Sequence, residues 1–209
     1  MIKIGIDFSL TSPAICVDKN GEYNFISFFS DGGKDWKHSK SKTYRYHNEL
    51  CDIIEVIPYT RKIDDSNYRY EQKTKMADAL MISNLIIDKL KAIIDDDVII
   101  GLEGFSYGSI SSSTLDLAMY NSFLRMKLIE NFGSDVLNII SPTEGKKMLF
   151  GKGNANKENM IQAFIDNRLK DDELTKSEFW KYCKSNGVDF KQPKPIDDLV
   201  DAYGILKCI

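Results

Sequence analysis

Apolar and polar positions cut this chain into short elements. The stretch Lys3-Ile4-Gly5-Ile6-Asp7-Phe8-Ser9 is apolar and β-branched up to a carboxylate, which predicts a buried strand delivering Asp7 to the carboxyl edge of a sheet. That edge is where open α/β sheets carry their chemistry. Ala14 to Val17 and Asn24 to Phe29 predict two further strands around the Lys19-Asn20-Gly21 turn, so the chain opens with three antiparallel strands. The pattern then breaks up from Ser30 to Lys75, within which Cys51 to Tyr59 has the character of one more strand. From Met76 to Ile94, apolar residues at Met76, Ala79, Leu80, Ile82, Ile86, Ile87, Leu90 and Ile94 follow the three-four spacing of an amphipathic helix covering one face of the sheet. Asp95-Asp96-Asp97 ends it as a solvated turn. Val98 to Glu103 is a second buried strand finishing on an acid, and it repeats the logic of Asp7.

Gly104 to Ser113 is a Gly/Ser-rich loop carrying Phe105 and Tyr107. A helix with an apolar stripe is predicted over Thr114 to Phe132, a strand over Val136 to Ile140 and a short helix over Thr143 to Leu149. Asn156 is a natural N-cap for a helix from Lys157 to Leu169. Lys170 to Pro195 is charged, with room for a short helix over Lys176 to Ser185, and Pro195 permits a new helix from Asp197 onward. In that helix Asp198 and Asp201 stand three apart, on one face.

Composition narrows the classes. The 209 residues, 43% hydrophobic and 28% charged, suit one soluble domain over 1–209 with an insertion at about 30–75. No apolar run approaches the roughly 20 residues that span a bilayer, and an N-terminus with Lys3 and Asp7 lacks the signal-peptide pattern, so a cytoplasmic location without membrane contact is expected. Cys16, Cys51, Cys183 and Cys208 lie far apart with no CxxC pair and read as free thiols, mostly buried, without a zinc site. With only His38 and His47 present, a Ser-His or Cys-His nucleophile is poorly supported. The net charge of -3 argues against coating nucleic acid by bulk charge and leaves room for a local basic face. Such a face is offered between 31 and 45, where Trp36 and Tyr44 interleave with Lys34, Lys37, Lys40, Lys42 and Arg45. The segment reads either as a solvated loop or as an arm whose lysines meet phosphates while its rings stack on bases.

Negative charge accumulates at the predicted element ends: Asp7, Glu103, Asp198 and Asp201. Two ionised carboxylates about 5 Å apart repel by roughly 3 kcal/mol at an effective dielectric near 20, so four converging need compensation. Hard divalent cations supply it. Two such ions, held by carboxylate and water oxygens, support phosphodiester hydrolysis by activating a water and stabilising the leaving oxygen.

These residues carry a resemblance. The strand with Asp7, the strand with Glu103 and the D-x-x-D-A of Asp198-Leu199-Val200-Asp201-Ala202 resemble the RuvC family of Holliday junction resolvases. Ser141-Pro142-Thr143-Glu144-Gly145-Lys146-Lys147 and Gly151-Lys152-Gly153-Asn154-Ala155-Asn156-Lys157 are similar to that family's Pro-x-x-x-x-Lys and Gly-x-Gly-x-Ala-x-Lys segments. The resemblance implies an α/β, RNase H-like fold: a mixed five-stranded sheet with helices on both faces. It implies that Asp7, Glu103, Asp198 and Asp201 bind two Mg²⁺ ions per active site, with Mn²⁺ able to substitute. Lys147 and Lys157 would act near the scissile phosphate, with Lys146 able to take the place of Lys147 by a one-residue shift. Asp197, i,i+4 from Asp201, is a geometric alternative to Asp198. Lys152 would join the DNA contacts, Phe105 and Tyr107 would probe an opened junction, and Lys37, Lys40 and Lys42 would extend the DNA-binding surface. The partners implied are four-way or other branched DNA and a second copy of the chain in a homodimer. The insertion and the Lys-, Ile- and Asn-rich composition resemble phage-encoded or poxvirus-like members more than the well-studied bacterial ones.

Two rival readings remain. One is a catalytically inactive binder of branched DNA with the same fold; the other takes Asp7-Phe8-Ser9 as the phosphate loop of an actin-like or sugar-kinase ATPase, for which the chain is too short to hold two lobes.

Overall fold

The computed structural model describes residues 1–9, 11–30, 45–61, 67–105, 112–191 and 193–209. Strands β1 (Ile2–Asp7), β2 (Ala14–Lys19) and β3 (Glu22–Ser30) form an antiparallel meander. Its hairpin closes on Asn20 and Gly21, both at positive φ (57° and 88°), which is the backbone twist a two-residue loop between right-twisted strands requires. β4 (Glu55–Tyr59) runs parallel to β3, β5 (Val98–Glu103) parallel to β1, and β6 (Leu137–Ile140) parallel to β5. The order β4-β3-β2-β1-β5-β6, with β2 alone running against its neighbours, contains the five-strand arrangement of the RNase H-like fold. β4, which lies within the strand expected over Cys51 to Tyr59, makes a sixth, one more than the five that the resemblance implies.

One face of the sheet is covered by the long helices α2 (Tyr68–Ile93) and α3 (Ser112–Phe132), which pack on each other. Ile2, Ile4, Ile6, Ile15, Val17, Ile100 and Leu102 fill the core beneath them. The other face carries α4 (Pro142–Phe150), α5 (Lys157–Ile165), α6 (Glu178–Asn186) and α7 (Ile196–Leu206), with the short α1 (Arg45–Leu50) contributing Tyr46 and Leu50 to the same core. α7 is buried nearly all round, between the sheet on one side and α4 and α5 on the other. Among the described residues no helix is long and apolar enough to cross a membrane.

Most boundaries follow the pattern, and the departures have local causes. α2 starts at Tyr68 rather than Met76 because Asn67 caps it, its Oδ1 accepting the amides of Arg69 and Tyr70. Its first turn is exposed, so no apolar periodicity announces it. α5 ends at Ile165 rather than Leu169, with Asn167 and Lys170 at positive φ beyond it. α1 lies within a stretch whose pattern predicted no helix. All four cysteines are free, with Cys16 and Cys183 buried and Cys51 exposed.

Asp171 ties the second face together. Its Oδ2 accepts from the hydroxyls of Tyr23 at 2.7 Å and Tyr203 at 3.0 Å and from Lys207 Nζ at 2.7 Å, joining the β2-β3 hairpin to the end of α7. Burial alone would raise this carboxyl, but the bonds from Lys207, Tyr23 and the Leu174 amide outweigh it and hold it at about 2. A lowered carboxyl stabilises the fold fully above its ordinary value of 3.8, and that contribution is lost as pH falls towards about 2. Asp171→Asn is therefore expected to cost about 2 kcal/mol in urea unfolding at pH 7 and to flatten the loss of stability below pH 4. An unchanged midpoint at pH 7 would assign the network no energetic role.

Candidate active site

The period of a strand decides what reaches this site. On β1 the side chains of Ile4 and Ile6 face α2 and α3, so Gly5 and Asp7 face α7; on β5 the same alternation turns Gly101 and Glu103 to α7. Gly5 and Gly101 are register partners, side by side beneath the helix. A Cβ on Gly5 would lie 2.1 Å from the Ala202 carbonyl oxygen and 2.6 Å from the Leu206 nitrogen, and one on Gly101 would lie 3.0 Å from Ile205 Cγ2. The backbone of α7 therefore rests on bare strand. Two residues further along each strand, on the same face, stand Asp7 and Glu103, and the first turns of α7 bring Asp198 and Asp201 to them. Asn121 of α3 steadies the tip of β5 by donating to the Glu103 carbonyl at 3.3 Å.

The cluster is electrostatically strained. Asp7, only 7% exposed, is raised well above the carboxylate range, chiefly by burial and then by the charges of Glu103, Asp198 and Asp201. Its carboxyl is hydrogen-bonded to that of Glu103, which raises it further. Glu103 is raised by burial, an effect opposed by the bond from Asp7 and by the charge of Lys146. Asp201 is pushed up to about 7 by burial and by the fields of Glu103, Asp198 and Asp197, with Lys146 opposing. Asp198 is likewise raised by burial and by neighbouring Asp197, against the pull of Lys194 and Ser12.

Asp198 already has partners. Ser12, in the turn after β1, donates its hydroxyl to Oδ2 at 2.6 Å, and Lys194 Nζ lies 2.8 Å from Oδ1, 2.6 Å from Oδ2 and 2.9 Å from Ser12 Oγ. Asp197 is buried and paired with Lys157 through Oδ2, while its Oδ1 has no hydrogen-bond partner among the described residues. Burial works against the charge of Lys157, but the bond to Asp197 and the fields of Asp198 and Asp201 outweigh it and raise its pKa.

Around the acids, the lysines are not equivalent. Lys146 on α4 is half-buried and its charge reaches both Glu103 and Asp201, whereas Lys147 and Lys152 are exposed. A capping box between Asn156 and Asn159 fixes the start of α5, and so the root of Lys157. Phe105 lies just beyond Glu103 with the Arg125 guanidinium 4.6 Å from its ring centre. Tyr107, Lys37, Lys40 and Lys42 lie outside the described residues.

No protein-family model and no curated protein sequence matches this chain. Among solved structures, RuvC of Thermus thermophilus is similar at 12% identity with a TM-score of 0.49, and T. thermophilus RuvC in complex with Holliday junction substrate at 11% and 0.48. Each match covers 99% of this chain and 92% of that chain. Likeness at this level says nothing of substrate, so the chemistry is read from the side chains present.

All the donors at the cluster are carboxylate oxygens, the set that hard divalent cations take, and burial leaves their charge poorly compensated. The donor chemistry thus fits such an ion. As the side chains stand, no group of three His, Cys, Asp or Glu among the described residues is arranged to hold one. Asp7 and Glu103 are bonded to each other, and Asp198 is turned to Ser12 and Lys194. No sequence motif points to Ser12 or Lys194. The i,i+4 spacing of Lys194 to Asp198 was a legible signal; the reach of Ser12 across 186 residues was not.

Proposed function

We propose that this chain is a divalent-cation-dependent endonuclease that cuts branched DNA, four-way junctions above all, by hydrolysing phosphodiester bonds. The observation that carries the reading is the meeting of Asp7, Glu103, Asp198 and Asp201 at the carboxyl edge of the sheet, raised by burial and by one another, with Lys146 and Lys157 beside them. Nothing else among the described residues concentrates so much ionisable chemistry.

Asp7, Glu103, Asp198 and Asp201 would hold two Mg²⁺ ions, or Mn²⁺ in their place. Ions bound there supply an activated water and neutralise charge on the leaving oxygen. Asp7 and Glu103, hydrogen-bonded to each other and both raised by burial, would be the donors from the two strands. Lys146 stays by Glu103 and Asp201 and tempers their repulsion. Lys157, whose side chain is 59% exposed, turns from Asp197 to an incoming phosphate and stabilises charge developing on it. Lys147 and Lys152, both exposed, would track the backbone, and Phe105 would meet a base exposed at the branch point. A homodimer would present two such sites to opposed strands.

Labelled four-way junctions, replication forks and linear duplex, incubated with purified protein in Mg²⁺ and then in EDTA, test this directly. Paired, EDTA-sensitive nicks on the junction are expected, with linear duplex left intact. Salt-dependent binding with no cutting in Mg²⁺ or Mn²⁺ would instead support the inactive branched-DNA binder, a reading favoured by one observation, the neutralisation of Asp198 by Lys194.

A further inference from the structure

Lys194 belongs to none of the motifs that pointed to the acids, yet among the described residues its ammonium is the cation hydrogen-bonded to Asp198. Its Nζ spans both carboxylate oxygens at 2.8 and 2.6 Å and lies 2.9 Å from the hydroxyl of Ser12, which itself bonds Oδ2. The carboxylate side chain is 8% exposed and the lysine side chain 40%, so the pair sits with its anion inside and its cation at the mouth. A compact ammonium bridging two oxygens at these distances takes the coordination space that a divalent ion would need. Ser12, 3% exposed, points its hydroxyl into the same place.

We propose that Lys194 is the resident counter-cation of Asp198, seated where a divalent ion would take that carboxylate, so that an ion enters there only as Lys194 leaves. The inference rests on the metal-dependent nuclease reading and adds to it a residue that sets how many ions the chain holds at a given concentration. Two observations converge on it. Asp198 has its partners in Lys194 and Ser12, whereas neighbouring Asp197 keeps a buried oxygen, Oδ1, without any hydrogen-bond partner among the described residues. And although the acids are close enough to raise one another, no three of the described side chains form a ready cage. Removing the ammonium leaves a buried, uncompensated carboxylate, which is a stronger attractor for a divalent cation than the neutralised pair. Lys194 acts through Asp198 and is a positioning residue, its side chain 40% exposed at the mouth of the pair.

Equilibrium Mn²⁺ binding, read from the free-ion electron paramagnetic resonance signal, tests the idea on the full chain without DNA. Lys194→Met is expected to bind one more Mn²⁺ per chain than the wild type at the same free concentration, its weaker site tightened about tenfold or more. Lys194→Gln, which keeps a polar tip, should do the same and guards against a packing defect in the first variant. Lys191→Met, which removes an equal charge from an exposed position nearby, should leave both sites as they are. Equal stoichiometry and affinity in wild type and both Lys194 variants would overturn the proposal, as would the same gain in Lys191→Met. The nuclease reading fails separately. A Lys194 variant that gains the ion but cuts no branched DNA, like the wild type, keeps the role of Lys194 and removes the nuclease; cutting by a wild type whose Mn²⁺ binding Lys194 does not influence does the reverse.

Discussion

Asp7→Asn is expected to abolish Mg²⁺-dependent junction cutting, by a factor on the order of 10³ or more, while leaving the fold as stable as before or more so. Both halves follow from the same surroundings. Asp7 is buried against Glu103, Asp198 and Asp201, and burial, their charges and its hydrogen bond to Glu103 all disfavour its ionised form. Asparagine keeps the shape and supplies an uncharged hydrogen-bond donor towards Glu103, so the resting structure sheds a group whose ionisation its surroundings oppose. What it removes is a negative oxygen donor to a divalent cation, and a factor of 10³ corresponds to about 4 kcal/mol of transition-state stabilisation. Junction cleavage beside thermal melting in EDTA reads both quantities on one preparation. Wild-type cutting by the variant would remove Asp7 from the mechanism; a fall in melting temperature alongside lost cutting would recast it as a structural residue.

The second large effect belongs to a residue with no side chain. Gly5→Ala puts a methyl 2.1 Å from the Ala202 oxygen and 2.6 Å from the Leu206 nitrogen, both backbone atoms of α7. Neither can step aside alone, so the helix must lift off β1. The expected cost is about 3 kcal/mol or more in urea unfolding, and the lift also carries Asp201, next to Ala202, away from Asp7. Gly133→Ala is the comparison. Gly133 sits at φ +93° with nothing within 4 Å of a Cβ, so its substitution strains the backbone without displacing a neighbour. Lost cutting in Gly5→Ala with the melting temperature unmoved would mean that the helix tolerates displacement and only the acids do not. Unchanged stability and cutting together would deny the close packing altogether.

How far the sequence disclosed this arrangement depends on the kind of signal each part emits. β1 and β5 were legible because they are short apolar runs ending in an acid, and their period-two faces needed no tertiary information. α7 was legible through Pro195 and the Asp198-Asp201 spacing. Gly5 and Gly101 could be read only as weak points in strands; that they lie opposite each other under a helix is a fact of register, and register belongs to pairing rather than to local pattern. β4 showed itself within Cys51 to Tyr59, though not its place at the sheet's edge, while α1, whose six residues are too few for periodicity to count, did not. At the site, residue types pointed to the acids, but partners came from distant segments. The resemblance left Lys146 and Lys147 interchangeable, whereas the turn of α4 aims the charge of Lys146 at Glu103 and Asp201.

The stacking of α7 on β1 also governs when the acid set exists. Ser12 and Asp198, which share a hydrogen bond, are 186 residues apart, and Lys3 reaches the carbonyl of Ile209 across 206. Contacts of such separation are among the slowest to form, because the chain between must be ordered before they repay its closure. During synthesis the six strands and the two long helices are all available before α7 emerges. A nascent or truncated chain can therefore hold a nearly finished sheet and still possess only half of its acids. Undocking a single helix of 11 residues would likewise break up the acid cluster without dismantling the sheet. The complete acid set is thus withheld until the chain's two distant segments have met.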